Sequence, residues 1–218
     1  MYSIKKSQII MVIGSLLLLT LFCVPLWQIT LIAPQYPEAI GMNIWINKLT
    51  DMNPNDIKNI NLLNHYIGME VMPEMMKEFE YFPKIVLAMT FFGIFAGIIG
   101  RKSGYLAWFV AMSILGLLGM YDFWLWEHSY GHNLHEGAAI KFVDEFNQPL
   151  SYQPPLIGTR EILNFTATSY PATGAYLLFC SMGLGLYAYF IDWKKDHDSL
   201  IRWKERYKQR RKKRAQTD

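Results

Sequence analysis

The stretch IIMVIGSLLLLTLFCVPLWQITLI, residues 9–32, decides the fold. Its 24 residues carry no charge, and wound as one α-helix they would run about 36 Å, enough to cross a bilayer. The length and composition predict a transmembrane helix. A cleaved signal peptide would also open on a basic pair such as Lys5 and Lys6, but the apolar run is too long for that and no A-x-A site follows it.

Three further runs share its character. Ile85–Gly100 (IVLAMTFFGIFAGIIG) is short, so it borrows Tyr81 and Phe82 or spans with little tilt. Another extends from Tyr105 to about Trp126, and a fourth from Ala172 to Ile191. None alternates strictly as a barrel strand would. The chain is 218 residues long, 52% hydrophobic and 18% charged, and the apolar excess is concentrated in these spans. The expected fold class is an all-α membrane protein, a four-transmembrane-helix bundle with a cap made of two outer segments. Its divisions are 1–33 (tail and first span), 34–83 (first outer segment), 84–126 (second and third spans with their turn), 127–171 (second outer segment), 172–191 (fourth span) and 192–218 (basic tail). Two cysteines, Cys23 and Cys180, without a CxxC pair exclude a disulfide-stapled mini-fold, a zinc knuckle and a covalent haem c site.

Orientation follows the bases, which mark cytoplasmic flanks. Lys5 and Lys6, the turn Arg101-Lys102, and a tail with eleven bases against five acids are the basic segments. Residues 34–83 hold three bases and seven acids, and 127–171 two bases and five acids. The pattern predicts an inner-membrane protein with both termini cytoplasmic and both long loops periplasmic. Six bases within Lys208–Arg214 read as an anchor touching anionic headgroups rather than a nucleic-acid site. Gly93 and Gly97, Gly116 and Gly119, and Gly174, Gly183 and Gly185 are candidate points of close helix approach. No histidine lies mid-span, against an intramembrane bis-histidine haem, and Asp122 is the only acid in a span, against ion conduction.

Function is therefore sought in the outer segments. The first opens on APQYPE (33–38), alternates like a strand through GMNIWINKLTD (41–51), then reads as helix, with Asn55 or Asp56 as N-cap and Pro73 and Pro83 each opening a new helix. On a continuous helix His65, Met69, Met72 and Met76 would share an arc of about 60°. Thioether sulfur is a soft donor that selects Cu(I), and imidazole suits both copper states. The alternative for the same residues is an amphipathic helix that turns its methionines inward as core filler. The second segment carries His128, His132 and His135 at i, i+4 and i+7, one face of the third helix if it continues past the membrane; Tyr130 and Asn133 could support His132. IKFVDEFNQPL (140–150) reads as strand or loop, and YQPPLIG (152–158) as a rigid extended segment. No GxSxG elbow, P-loop or Rossmann fingerprint is present, and no enzyme is expected.

Through APQYPE (33–38), NHYIGM (64–69), YGHNL (130–134) and YQPPLIG (152–158) the chain resembles a family of four-span bacterial membrane proteins associated with nitrous oxide reductase maturation gene clusters. The resemblance implies an accessory role in copper handling or in assembling a periplasmic copper enzyme, in denitrification. Its partners would be that enzyme, a copper chaperone or a transporter complex, besides the lipid bilayer. His65, Met69 and His132 fall within the matching motifs. The combined expectation is a transient copper site of His65, Met69 and Met72, joined by Met76, His132 and His128. Two alternatives stand beside it: a metal-free scaffold that docks a periplasmic enzyme or cytochrome, and a quinol-linked electron-transfer subunit.

Overall fold

Pro25 divides the uncharged run. In the computed structural model, which describes residues 4–73, 76–135, 137, 151–162 and 164–214 (backbone alone for 211–214), helix α1 covers Lys6–Leu17 and tightens into a 3-10 turn over Leu18–Phe22. Strand β1 then takes Trp27–Ile32. The expected 24-residue span is thus corrected. Proline lacks the N–H a helix needs and pushes Val24, before it, toward extended geometry, while WQITLI alternates and carries two isoleucines and a threonine suited to a strand.

Three helices are long and apolar enough to cross a membrane: α3 (Glu78–Ile99), α4 (Lys102–His132) and the apolar part of α5 (Thr173–Arg214). The helical stretch Lys6–Phe22 is shorter. It packs against α3 and α5, and α4 packs against the same two helices, so the four form a bundle. α3 begins before Pro83, which lies inside it and opens no helix.

The all-α expectation fails outside the bundle, where a five-stranded antiparallel sheet stands in the order β3-β2-β1-β5-β4. The strand-like GMNIWINKLTD supplies β2 (Ile40–Ile44) and β3 (Leu49–Asp51), and the second outer segment supplies β4 (Gly158–Ile162) and β5 (Phe165–Pro171). The expected strand or loop at 140–150 lies outside the described residues. β1 leaves α1 and β5 enters α5, and the two pair along their lengths from Trp27↔Pro171 to Ile32↔Thr166. Sheet and bundle are therefore joined through the sheet's two most central connections. At this junction the Gly174 amide donates to the Pro25 carbonyl at 2.8 Å, and a Cβ on Gly174 would meet that oxygen at 2.7 Å.

The short helix α2 (Asp56–Ile67) packs on β2. Asn55 is its N-cap, but the capping bond comes from Asp51 Oδ1, which accepts the Ile57 amide at 2.6 Å. The buried Asp56 carboxylate instead accepts the amides of Gly41 (2.9 Å) and Asn53 (2.8 Å), fastening the helix start to β2.

The bundle core closes around Trp108 of α4, which is fully buried with Met11 and Leu18 and clusters with Met89. Its indole N–H donates to the Met89 carbonyl of α3 at 2.8 Å. Among the expected approach points, Gly93 and Gly185 both face this ring, whereas Gly116, Gly119 and Gly183 have nothing within 4 Å. A Cβ on Gly185 would meet Trp108 at 2.7 Å. Gly185→Ala is accordingly expected to cost about 1–3 kcal/mol through overpacking, and Gly183→Ala to stay within about 0.5 kcal/mol of the parent. Thermal unfolding of the two variants in one detergent checks this; equal losses contradict the packing.

Candidate functional site: the groove under the sheet

Alternation places Ile29 and Leu31 of β1, Met42 of β2 and Ala167 of β5 on one face of the sheet. Between this face and α2 lies a cavity of about 530 Å³, closed further by Ile60 and Leu63 of α2 and by Tyr152 and Pro154 of the extended YQPPLIG segment. A few polar groups reach it, among them Gln35, Asn64 and Asn164. Its volume suits a small apolar ligand or the anchor of a partner chain.

The helix on which His65, Met69, Met72 and Met76 would align does not exist. α2 stops at Ile67, and Gly68 takes the left-handed conformation at φ 82° that commonly closes a helix. The chain then folds back along α2: the Met69 amide donates to the Asn64 carbonyl at 2.9 Å, Asn64 Nδ2 to the Glu70 carbonyl at 3.1 Å, and the Met72 amide to Asn61 Oδ1 at 2.8 Å. Pro73 opens no helix, and Glu74 and Met75 lie outside the described residues. This fold-back turns Met69 and Met72 into the groove, where Met72 is buried with Ile29, Ile40, Met42 and Ile60. His65 is exposed on α2 beside Tyr66. Met76 sits just before α3, its carbonyl accepting the Phe79 amide at 3.2 Å.

α4 continues through Gly131 to His132, so the histidine helix does extend past Trp126. His128 stacks between Trp124 (5.1 Å between centroids) and His132 (3.9 Å). His128 Nδ1 lies 3.3 Å from Gln153 Oε1, and His132 Nδ1 lies 2.9 Å from the His128 carbonyl. The His135 amide leaves the helix to bond the Gly68 carbonyl at 2.8 Å, and the Tyr130 hydroxyl donates to the Val71 carbonyl at 3.2 Å. The two outer segments therefore meet, and they do so backbone to helix end. Of the six residues expected at one copper site, Met69 and Met72 line the groove and His65, Met76, His128 and His132 do not. Among the described residues no group of three or more His, Cys, Asp or Glu is placed to hold a metal.

Two groups escaped the sequence reading. Met42 lies on β2, remote in sequence from the other methionines, yet lines the same groove. Glu127 is the first residue past the expected span, 1% exposed, and neither carboxyl oxygen finds a hydrogen-bond partner among the described residues. It shares a helical face with Gly131, where a Cβ would meet Gln153 at 2.5 Å, so it lies under the YQPPLIG strap. Its sequence signal was an acid between two aromatic turns with no lysine or arginine within four residues.

Comparison of the chain with protein-family models and with curated proteins finds no match.

Proposed function

We propose that this protein is a membrane-embedded accessory protein that presents an apolar groove outside the bilayer and holds there an apolar segment of a partner protein. The observation that carries this reading is the cavity of about 530 Å³ between the sheet and α2, apolar on both walls. Met72 packs there against isoleucines, as a methionine used for adaptable apolar contact does. The asymmetry of lysine and arginine supports an orientation with the basic segments in the cytoplasm and the sheet in the periplasm. In this reading the bundle is the anchor, the groove is the docking site, and no metal is needed.

A second reading, copper handling for a partner enzyme or chaperone, is favoured by one specific observation: three thioethers, Met42, Met69 and Met72, line the same cavity. Such a set is selective for Cu(I). It replaces the mixed histidine and methionine site expected from helical spacing with an all-sulfur one.

One experiment separates the two. A benzophenone side chain placed at Leu62 or Tyr66, both half-exposed at the groove, is expected to crosslink the partner in native membranes. The adduct should vanish when Leu63→Glu puts a charge in the groove, and should survive Met69→Leu/Met72→Leu, which conserves apolar volume. An adduct indifferent to Leu63→Glu overturns the docking site. Loss of the adduct with Met69→Leu/Met72→Leu, together with loss of bound Cu(I) from the purified protein, transfers the groove to copper.

A further inference from the structure

The end of the bundle away from the sheet carries a second cavity, about 410 Å³ in volume, walled by four bases, Lys5, Arg101, Lys102 and Lys195, and two acids, Asp192 and Asp196. The acids are already engaged. Asp192, only 7% exposed, accepts the Ser7 hydroxyl at 2.8 Å and lies 3.8 Å from Lys5. Asp196 pairs with Lys102 at 2.6 Å. The Lys5 ammonium also donates to the Gly100 carbonyl at 3.1 Å, which holds it at the wall. Arg101 and Lys195 are left without an ion pair or hydrogen bond among the described residues, so the lining, four positive charges against two negative, keeps a surplus of two.

Neutral donors stand at the same mouth. Arg101 is the N-cap of α4 in extended geometry and gives the helix no side-chain cap, and the Ser103 hydroxyl, which lines the cavity, makes no hydrogen bond among the described residues. The opening amides of a long helix carry positive potential and favour an anion beside them. A guanidinium supplies paired donors that match tetrahedral oxyanions, and a lysine adds a compact charge.

We propose that this cavity binds a phosphate group, with Arg101 and Lys195 supplying the uncompensated charge and Ser103 with the first amides of α4 supplying neutral donors. Lys5 and Lys102, tied to Asp192 and Asp196, shape the wall and leave the surplus on the other two bases. The group comes from an anionic lipid headgroup or from free phosphate; both present the same oxyanion. The site is independent of the groove under the sheet.

The full chain in detergent, titrated with phosphatidylglycerol and with phosphatidylcholine and followed by native mass spectrometry, tests the site. Phosphatidylglycerol is expected to be retained preferentially, and Arg101→Gln/Lys195→Gln to weaken retention about thirtyfold, since each basic residue near an anionic surface is worth about fivefold. Arg202→Gln/Lys204→Gln, the same charge change on the exposed stretch of α5 that precedes Lys208, should leave retention unchanged. In a parallel arm, inorganic phosphate is compared with chloride at equal ionic strength for its effect on the unfolding temperature. Stabilisation by phosphate that disappears in Arg101→Gln/Lys195→Gln assigns the site to free phosphate; lipid retention alone assigns it to a headgroup. Equal loss in both double variants, or no loss in the first in either arm, overturns the site.

Discussion

The bundle depends on one buried indole. Trp108 brings a polar N–H into an apolar interior, where a donor without an acceptor is costly, and the structure answers by leading it to the Met89 carbonyl. That carbonyl belongs to a helix already using it for its own ladder, so the indole must come close to the backbone. Gly93, one turn on, leaves the passage open, and Gly185 clears the opposite side of the ring. Three helices are thereby set at fixed distance around one side chain, and α1 adds Met11 and Ser15 to the same centre. The junction with the sheet inherits this geometry, because β1 follows α1 through the 3-10 turn and β5 leads into α5.

Much of the bundle was legible because long uncharged runs have few alternatives. Residues 105–126 lie within α4, all of 172–191 except Ala172 lies within α5, and the strand-like 41–51 became a hairpin. The run at 9–32 misled because composition alone does not distinguish a membrane helix from a short helix followed by the central strand of a sheet. Pro25 held the distinction, and only pairing with a strand more than a hundred residues away made it decisive. Helical spacing misplaced His65, Met69, Met72 and Met76 for a similar reason: Gly68 is compatible with a helix interior by count, and its left-handed conformation depends on the fold-back bonds from Asn61 and Asn64. Close approach at Gly93, Gly97, Gly174 and Gly185 followed from residue size, while Gly116, Gly119 and Gly183 show that a small residue alone does not identify the neighbour.

The two outer segments are interdependent. The first provides the fold-back that lines the groove with Met69 and Met72; the second provides the strap with Tyr152 and Pro154 that walls it. They are held by two contacts from the end of α4, Tyr130 to Val71 and His135 to Gly68. The end of α4 beyond Trp126 is thus the bracket of the groove, and Glu127 sits buried at its base.

The pairing of β1 with β5 also orders events in time. Trp27–Ile32 is synthesised long before Phe165–Pro171, and at roughly 5–20 residues per second the interval is roughly 7–30 s. During that interval β2, with β3 beyond it, can cover β1 on one side only, and the other edge of β1 stands open with its backbone donors and acceptors unmet. An open edge is a template for wrong partners. For the nascent chain the strand that begins the sheet is therefore its most vulnerable, and the protection comes last, delivered by the segment that leads into the final helix.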